Sequence, residues 1–71
     1  MPRLTMIQAQ DRYIARVNNP DTHPGHQKRV QRSAANQLYQ WATKRGYNAD
    51  VAVIIVDEAR QVAKLIRNSE D

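Results

Sequence analysis

The segment that most constrains the fold is an apolar run, Val51–Val56, in the last third of the chain. Its residues are mostly β-branched, a composition that favours a strand when the run is taken alone. No second strand-like run is available to pair with it, and a lone strand leaves its backbone groups without partners. The apolar pattern also continues at helical spacing through Ala59, Val62 and Ile66. We therefore predict a helix from about 49 to 67, and strand pairing between two molecules is the alternative.

This predicted third helix is apolar around more than half of its circumference. One stripe runs from Val51 through Ala59 to Ile66, and Ile54 and Leu65 widen it. A helix that packs on one neighbour needs an apolar arc only a little wider than about 100°. We therefore expect this helix to be central in the domain or to lie at the seam of a homodimer. The residues expected to support self-association are Ile54, Ile55, Val62, Leu65 and Ile66.

A first helix is predicted over about 5–18. It begins with a capping box, in which Thr5 and Gln8 each satisfy an orphan backbone N–H at the helix start. Pro20 ends it, because proline disfavours helical backbone in the residue before it. The side chains expected on its inner side are Met6, Ile7, Tyr13, Ile14 and Val17.

A second helix is predicted over about 26–45, with an inner stripe made of Val30, Ala34, Leu38 and Trp41. Gly46 follows it, where a left-handed C-terminal cap is favoured, and Asn48 can cap the third helix. Together these elements predict an all-α fold, a three-helix domain that covers 1–71.

Composition excludes several classes of protein. The chain has 71 residues and no cysteine, so it can form neither a disulfide nor a cysteine-based zinc site. A domain of this size leaves little room for a ligand pocket of the usual volume of about 300 Å³. Ser33 and Ser69 have no evident base, and neither a glycine-rich phosphate loop nor a pair of carboxylates suited to catalysis occurs. We therefore expect no enzymatic activity and no cofactor.

The expected localisation is cytoplasmic and away from membranes. The longest apolar run, Val51–Val56, is far shorter than the roughly 20 residues that cross a bilayer. The N-terminal residues lack the apolar region of a signal peptide. His23 and His26, with Asp21 nearby, could supply metal ligands, but we expect them to be solvated loop side chains and predict no metal site.

The clearest functional pattern is a window without acidic residues between Asp21 and Asp50. The window contains Lys28, Arg29, Arg32, Lys44 and Arg45, and the whole chain has a formal net charge of +4. On a helical wheel, the side opposite the predicted inner stripe carries Arg29, Arg32, Asn36 and Gln40. Proteins that bind nucleic acids use arginine and lysine on phosphates, and asparagine and glutamine on base edges. The pattern therefore predicts a nucleic-acid-binding surface, and we expect DNA to be the ligand.

The segment from Ala42 through Gly46 to Ile55 is similar to the helix-turn-helix pattern, in which a small residue, a glycine and a buried aliphatic residue recur at this spacing. It departs from the pattern at Arg45, where an apolar residue is usual, and at Asp50, which gives the predicted third helix, the second helix of the motif, an acidic start.

The alternative function is a protein-interaction module, or a small inhibitor of the viral or plasmid type, that docks on a larger host protein.

Overall fold

The computed structural model describes residues 3–69, and within this range the chain forms three α-helices and no strand. The helices are α1 (Met6–Val17), α2 (Gln27–Lys44) and α3 (Ala49–Ser69), and a short 3₁₀ turn (Pro24–His26) precedes α2. The segment Val51–Val56 lies inside α3, so its helical prediction is confirmed and the strand alternative is not observed. The predicted all-α class and the three-helix architecture are therefore confirmed.

The helix ends are fixed by local hydrogen bonds that the sequence predicts. The backbone N–H of Gln8 donates to Thr5 Oγ1 at 3.1 Å, and the Thr5 N–H donates to Gln8 Oε1 at 3.0 Å, which completes the capping box. Gly46 has a φ of 103°, a left-handed value that favours glycine. The Val51 N–H donates to Asn48 Oδ1 at 2.9 Å, so Asn48 caps the start of α3.

The direction of the helices follows from hydrogen bonds that join them. Gln10 donates to the Ile55 carbonyl at 3.1 Å, and Asn18 donates to the Ala63 carbonyl at 3.0 Å. The second pair lies further along both helices than the first pair does, so α1 and α3 run in the same direction. α2 runs in the opposite direction, because Arg45 at its end reaches the Leu4 carbonyl at the start of α1. Each helix contacts the other two.

The core is built largely from alanine. Six of the eleven buried residues are alanines, and the others are one tyrosine, one leucine, one isoleucine and two valines. Ala42 and Ala52 are 0% exposed, which places the backbones of α2 and α3 close together at these positions. The buried set is Ala9, Tyr13, Val17, Ala34, Leu38, Ala42, Ala52, Ile55, Val56, Ala59 and Ala63.

Several side chains predicted for the inner sides of α1 and α2 are less buried than expected. Ile7 is 70% exposed, and Ala9 takes the inner position in its place. Those that are half-buried and pack at the edge of the core are Met6, Ile14 and Trp41, and Val30 is also only half-buried. The reason is the narrow contact between the helices, since the alanine-lined interior accepts few large side chains.

α3 contacts both other helices, as expected for a central helix, yet much of its apolar arc stays on the surface. Ile55 is 3% exposed and belongs to the core of the single chain, so it is not available to a second molecule. The other residues predicted for self-association are exposed by 40–68%: Ile54, Val62, Leu65 and Ile66. Over residues 3–69, no helix combines the length and the apolar content that a bilayer-spanning helix needs.

The alanine contacts generate a prediction about stability. Ala52→Leu adds three carbon atoms where no surface is exposed, so we expect it to lower the free energy of unfolding by about 1–3 kcal/mol. The matched control is Ala15→Leu, which makes the same change at an exposed position of α1 and should alter stability by less than about 0.5 kcal/mol. Urea denaturation of the two variants measures both values, and equal effects would contradict the close packing of α3.

Candidate nucleic-acid interface

The predicted binding residues are arranged by the way α2 packs. Ala34, Leu38 and Ala42 face the core, and the opposite side of the helix is exposed to solvent. This outer face of α2 consists of Lys28, Arg29, Arg32, Asn36, Gln40 and Lys44, all of them exposed. From Arg29 to Gln40 the face extends over about 16 Å, because each helical residue adds about 1.5 Å.

The outer face of α2 has no internal charge compensation on its own helix. Residues 27–44 include no aspartate or glutamate. Other arginines are used inside the fold: Arg16 donates to Gln37 and Ser33, and Arg67 donates to Asn18. None of the side-chain hydrogen bonds found between residues 3 and 69 involves Lys28, Arg29 or Arg32. These three side chains therefore present their positive charge outward.

The start of α2 is electrostatically unfavourable for the helix itself. His26 occupies the N-cap position without a side-chain hydrogen bond, and no acidic residue lies in the first turn. Lys28 and Arg29 lie in that turn, next to the positive end of the helix dipole. The Gln27 N–H is already paired, because it donates to the Pro24 carbonyl of the preceding 3₁₀ turn. An anion placed at this end of α2 would interact favourably with the Lys28 and Arg29 side chains and with the helix dipole.

Arg45 does not belong to the outer face, although the acid-free window includes it. Its guanidinium donates to the Leu4 carbonyl at 2.8 Å and lies 5.4 Å from the centre of the Trp41 ring. These contacts turn the side chain toward α1. Ser33 also does not belong to the outer face, because it is half-buried and accepts a hydrogen bond from Arg16 at 3.4 Å.

A groove between α2 and α3 adds residues that the sequence pattern does not reveal. It measures about 310 Å³, which is more room than the length of the chain led us to expect, and it brings Arg60 of α3 beside Asn36 and Tyr39. Asp57 lines the same groove and accepts a hydrogen bond from Gln61 at 3.1 Å, so the added positive charge is partly offset. Arg60 could not be assigned to this edge from the sequence, because its position depends on the packing of α3 on α2.

The helix-turn-helix resemblance extends to burial but not to the charge of α3. Ala42 and Ile55 are buried between the helices, and Gly46 makes the turn, as in that pattern. The first half of α3, however, carries Asp50 and no positive residue before Arg60. The positive surface therefore lies on α2.

The loop before α2 has a structural role in the fold. The His23 Nδ1 atom accepts a hydrogen bond from the Gly25 N–H at 3.0 Å, and its ring packs edge-on against His26 with centroids 5.5 Å apart. Within the described range of the chain, no group of three or more histidine, cysteine, aspartate or glutamate side chains is arranged to hold a metal ion.

No protein-family model, curated protein or solved structure matches this chain. We therefore infer its function from the exposed surfaces of α2 and α3.

Replacing a lysine by glutamate should have opposite effects on the free energy of unfolding at the two ends of α2. Lys28→Glu should raise the free energy of unfolding by about 0.3–1 kcal/mol at low ionic strength, because it places a carboxylate at the positive end of the helix dipole. Lys44→Glu makes the same substitution at the negative end and should lower stability by a similar amount. Urea denaturation at low and high salt measures both, and the effects should shrink with added salt. Destabilisation by Lys28→Glu would contradict this account of the helix start.

Proposed function

We propose that this protein is a non-enzymatic nucleic-acid-binding protein, with a regulatory or accessory role, that contacts duplex DNA through the outer face of α2. The observation that carries the proposal is the group of Lys28, Arg29 and Arg32. These side chains are exposed, have no acidic neighbour on their helix and make no side-chain hydrogen bond within residues 3–69. Phosphates of a nucleic acid would supply the missing negative charge.

The chemistry of the outer face divides into two roles. Arg29 and Arg32 would donate to phosphate oxygens, and Lys28 and Lys44 would add attraction at the two ends of the helix. Asn36 and Gln40 would reach base edges, since their amides can both donate and accept. With two amides and no bulky insertion into the duplex, binding is expected to depend mainly on the backbone and to be only weakly specific for sequence.

A protein-interaction module or small inhibitor that docks on a larger protein is the second candidate function. The exposed aliphatic side chains of α3 favour it, with Ile54 56% and Leu65 68% exposed. Acidic surfaces on a partner could also engage the outer face of α2. The two candidates are distinguished by whether charge reversals on α2 remove DNA binding.

Fluorescence anisotropy with a labelled DNA duplex tests the proposed function across a salt series. Four lysines and arginines lie on the outer face of α2. If each neutralises one phosphate, the slope of log K against log salt should be about −3.6. Arg29→Glu combined with Arg32→Glu should make the slope less steep by about 2 and abolish binding at moderate salt.

Arg12→Glu is the matched control, because it reverses an exposed arginine on α1. It changes the net charge of the protein as much as either single reversal on α2 does. It therefore shows whether DNA binding depends on the outer face of α2 or only on the net charge. We expect Arg12→Glu to retain most of the affinity, whereas Arg32→Glu should lose most of it. Equal losses would contradict a localised interface, and no binding of the natural chain at about 50 mM salt would exclude the function.

A further inference from the structure

The side of α3 that points away from the core carries the exposed residues Asp50, Asp57, Lys64 and Asn68, together with four others in a symmetric order. Ile54, Glu58, Gln61 and Leu65 are these four, and they lie opposite the buried Ala52, Ala59 and Ala63. Their spacing is four, three and four residues, with an aliphatic side chain at each end and a polar pair in the middle. We call these four residues the outward face of α3.

We propose that the outward face of α3 is the interface of a homodimer in which the two α3 helices pack antiparallel. A twofold axis between positions 59 and 60 places Ile54 opposite Leu65 of the second copy, and Glu58 opposite its Gln61. Each contact occurs twice, which makes the surface complementary to itself, as an isologous interface requires. Ile54 and Leu65 are thereby buried, and each Glu58 carboxylate accepts the second N–H of Gln61 Nε2, whose first N–H donates to Asp57 of its own helix.

Charge complementarity at the border of this face also favours a second copy as the occupant. Asp57 and Lys64 are exposed on the same flank of α3. The same twofold axis brings Asp57 to within about 3 Å, measured along the helix, of the level of Lys64 in the second copy. In a parallel twofold arrangement, the flank that carries Asp57 and Lys64 in one copy would lie on the opposite side of the contact from the same flank of the second copy, so this charge pairing would not form.

The antiparallel arrangement has a consequence for the outer face of α2. The three helices form a triangle, and the twofold axis runs perpendicular to them and along the plane of the α3 contact. This rotation keeps both α2 helices on one side of the dimer, and both α1 helices on the other. The dimer does not depend on DNA binding. The two outer faces of α2 that it places on one side would bind DNA together only if the proposed function holds.

Sedimentation equilibrium tests the dimer without any reference to DNA. The natural chain should show twice its monomer mass, and Ile54→Glu or Leu65→Glu should reduce it to the monomer. Ile7→Glu is the matched control, because Ile7 is an exposed isoleucine on α1 outside the interface, and it should leave the dimer intact. Circular dichroism confirms that each variant keeps its helices. A natural chain of monomer mass at every concentration would overturn the proposal and leave the face to a different partner.

Engineered cysteines test the antiparallel direction, since the natural chain contains no cysteine. Ile54→Cys and Leu65→Cys are prepared separately, one with a small mass label, then mixed and oxidised. We expect the mixture to give the disulfide between positions 54 and 65, while neither variant alone gives a crosslinked dimer in quantity. Efficient crosslinking of each variant to itself would indicate a parallel pair. That result, or no crosslinking of the mixture, would overturn the antiparallel interface even if DNA binding is confirmed.

Discussion

The close contact between helices at alanine positions is the constraint on which the other features of this protein depend. Ala42 and Ala52 are fully buried, and six of the eleven buried residues are alanines. Methyl groups let helices approach closely but bury little apolar area for each residue. Of the larger aliphatic side chains of α3, the interior therefore holds Ile55 and Val56, and others, including Ile54 and Leu65, remain on the surface. A chain of 71 residues has a small core in any case, so burial of Ile54 and Leu65 in a dimer would add appreciably to its stability.

The same packing separates two surfaces of different chemistry. α2 faces the core through Ala34 and Leu38 and presents an exposed basic side to solvent. The first turn of α2 has no acidic side chain that could interact favourably with the positive end of the helix dipole. α3 presents an apolar side with polar groups at its middle. Because these surfaces lie on different edges of the triangle of helices, a molecule can use both at once. One is suited to an extended anion, and the other to a second copy of the same surface.

The local features of the fold could be predicted from the sequence, and the long-range ones could not. Thr5, Gly46 and Asn48 act through hydrogen bonds or backbone angles within a few residues, so sequence spacing is enough to place them. The basic face of α2 was also predictable, since one helix positions Arg29 and Arg32 relative to Leu38. By contrast, the contact of Arg45 with Leu4 and the exposure of Ile7 depend on how α1 and α2 pack against each other, which no local pattern specifies.

An NMR titration of the ¹⁵N-labelled protein with a short DNA duplex shows most directly whether α2 binds nucleic acid. We expect salt-sensitive shifts at the exposed positions of α2 from Lys28 to Lys44, with the strongest at Arg29 and Arg32. Amides beside Ile54 and Leu65 should stay unchanged, because α3 faces a different direction. Shifts centred on α3, or none at low salt, would contradict the assignment of nucleic-acid binding to α2.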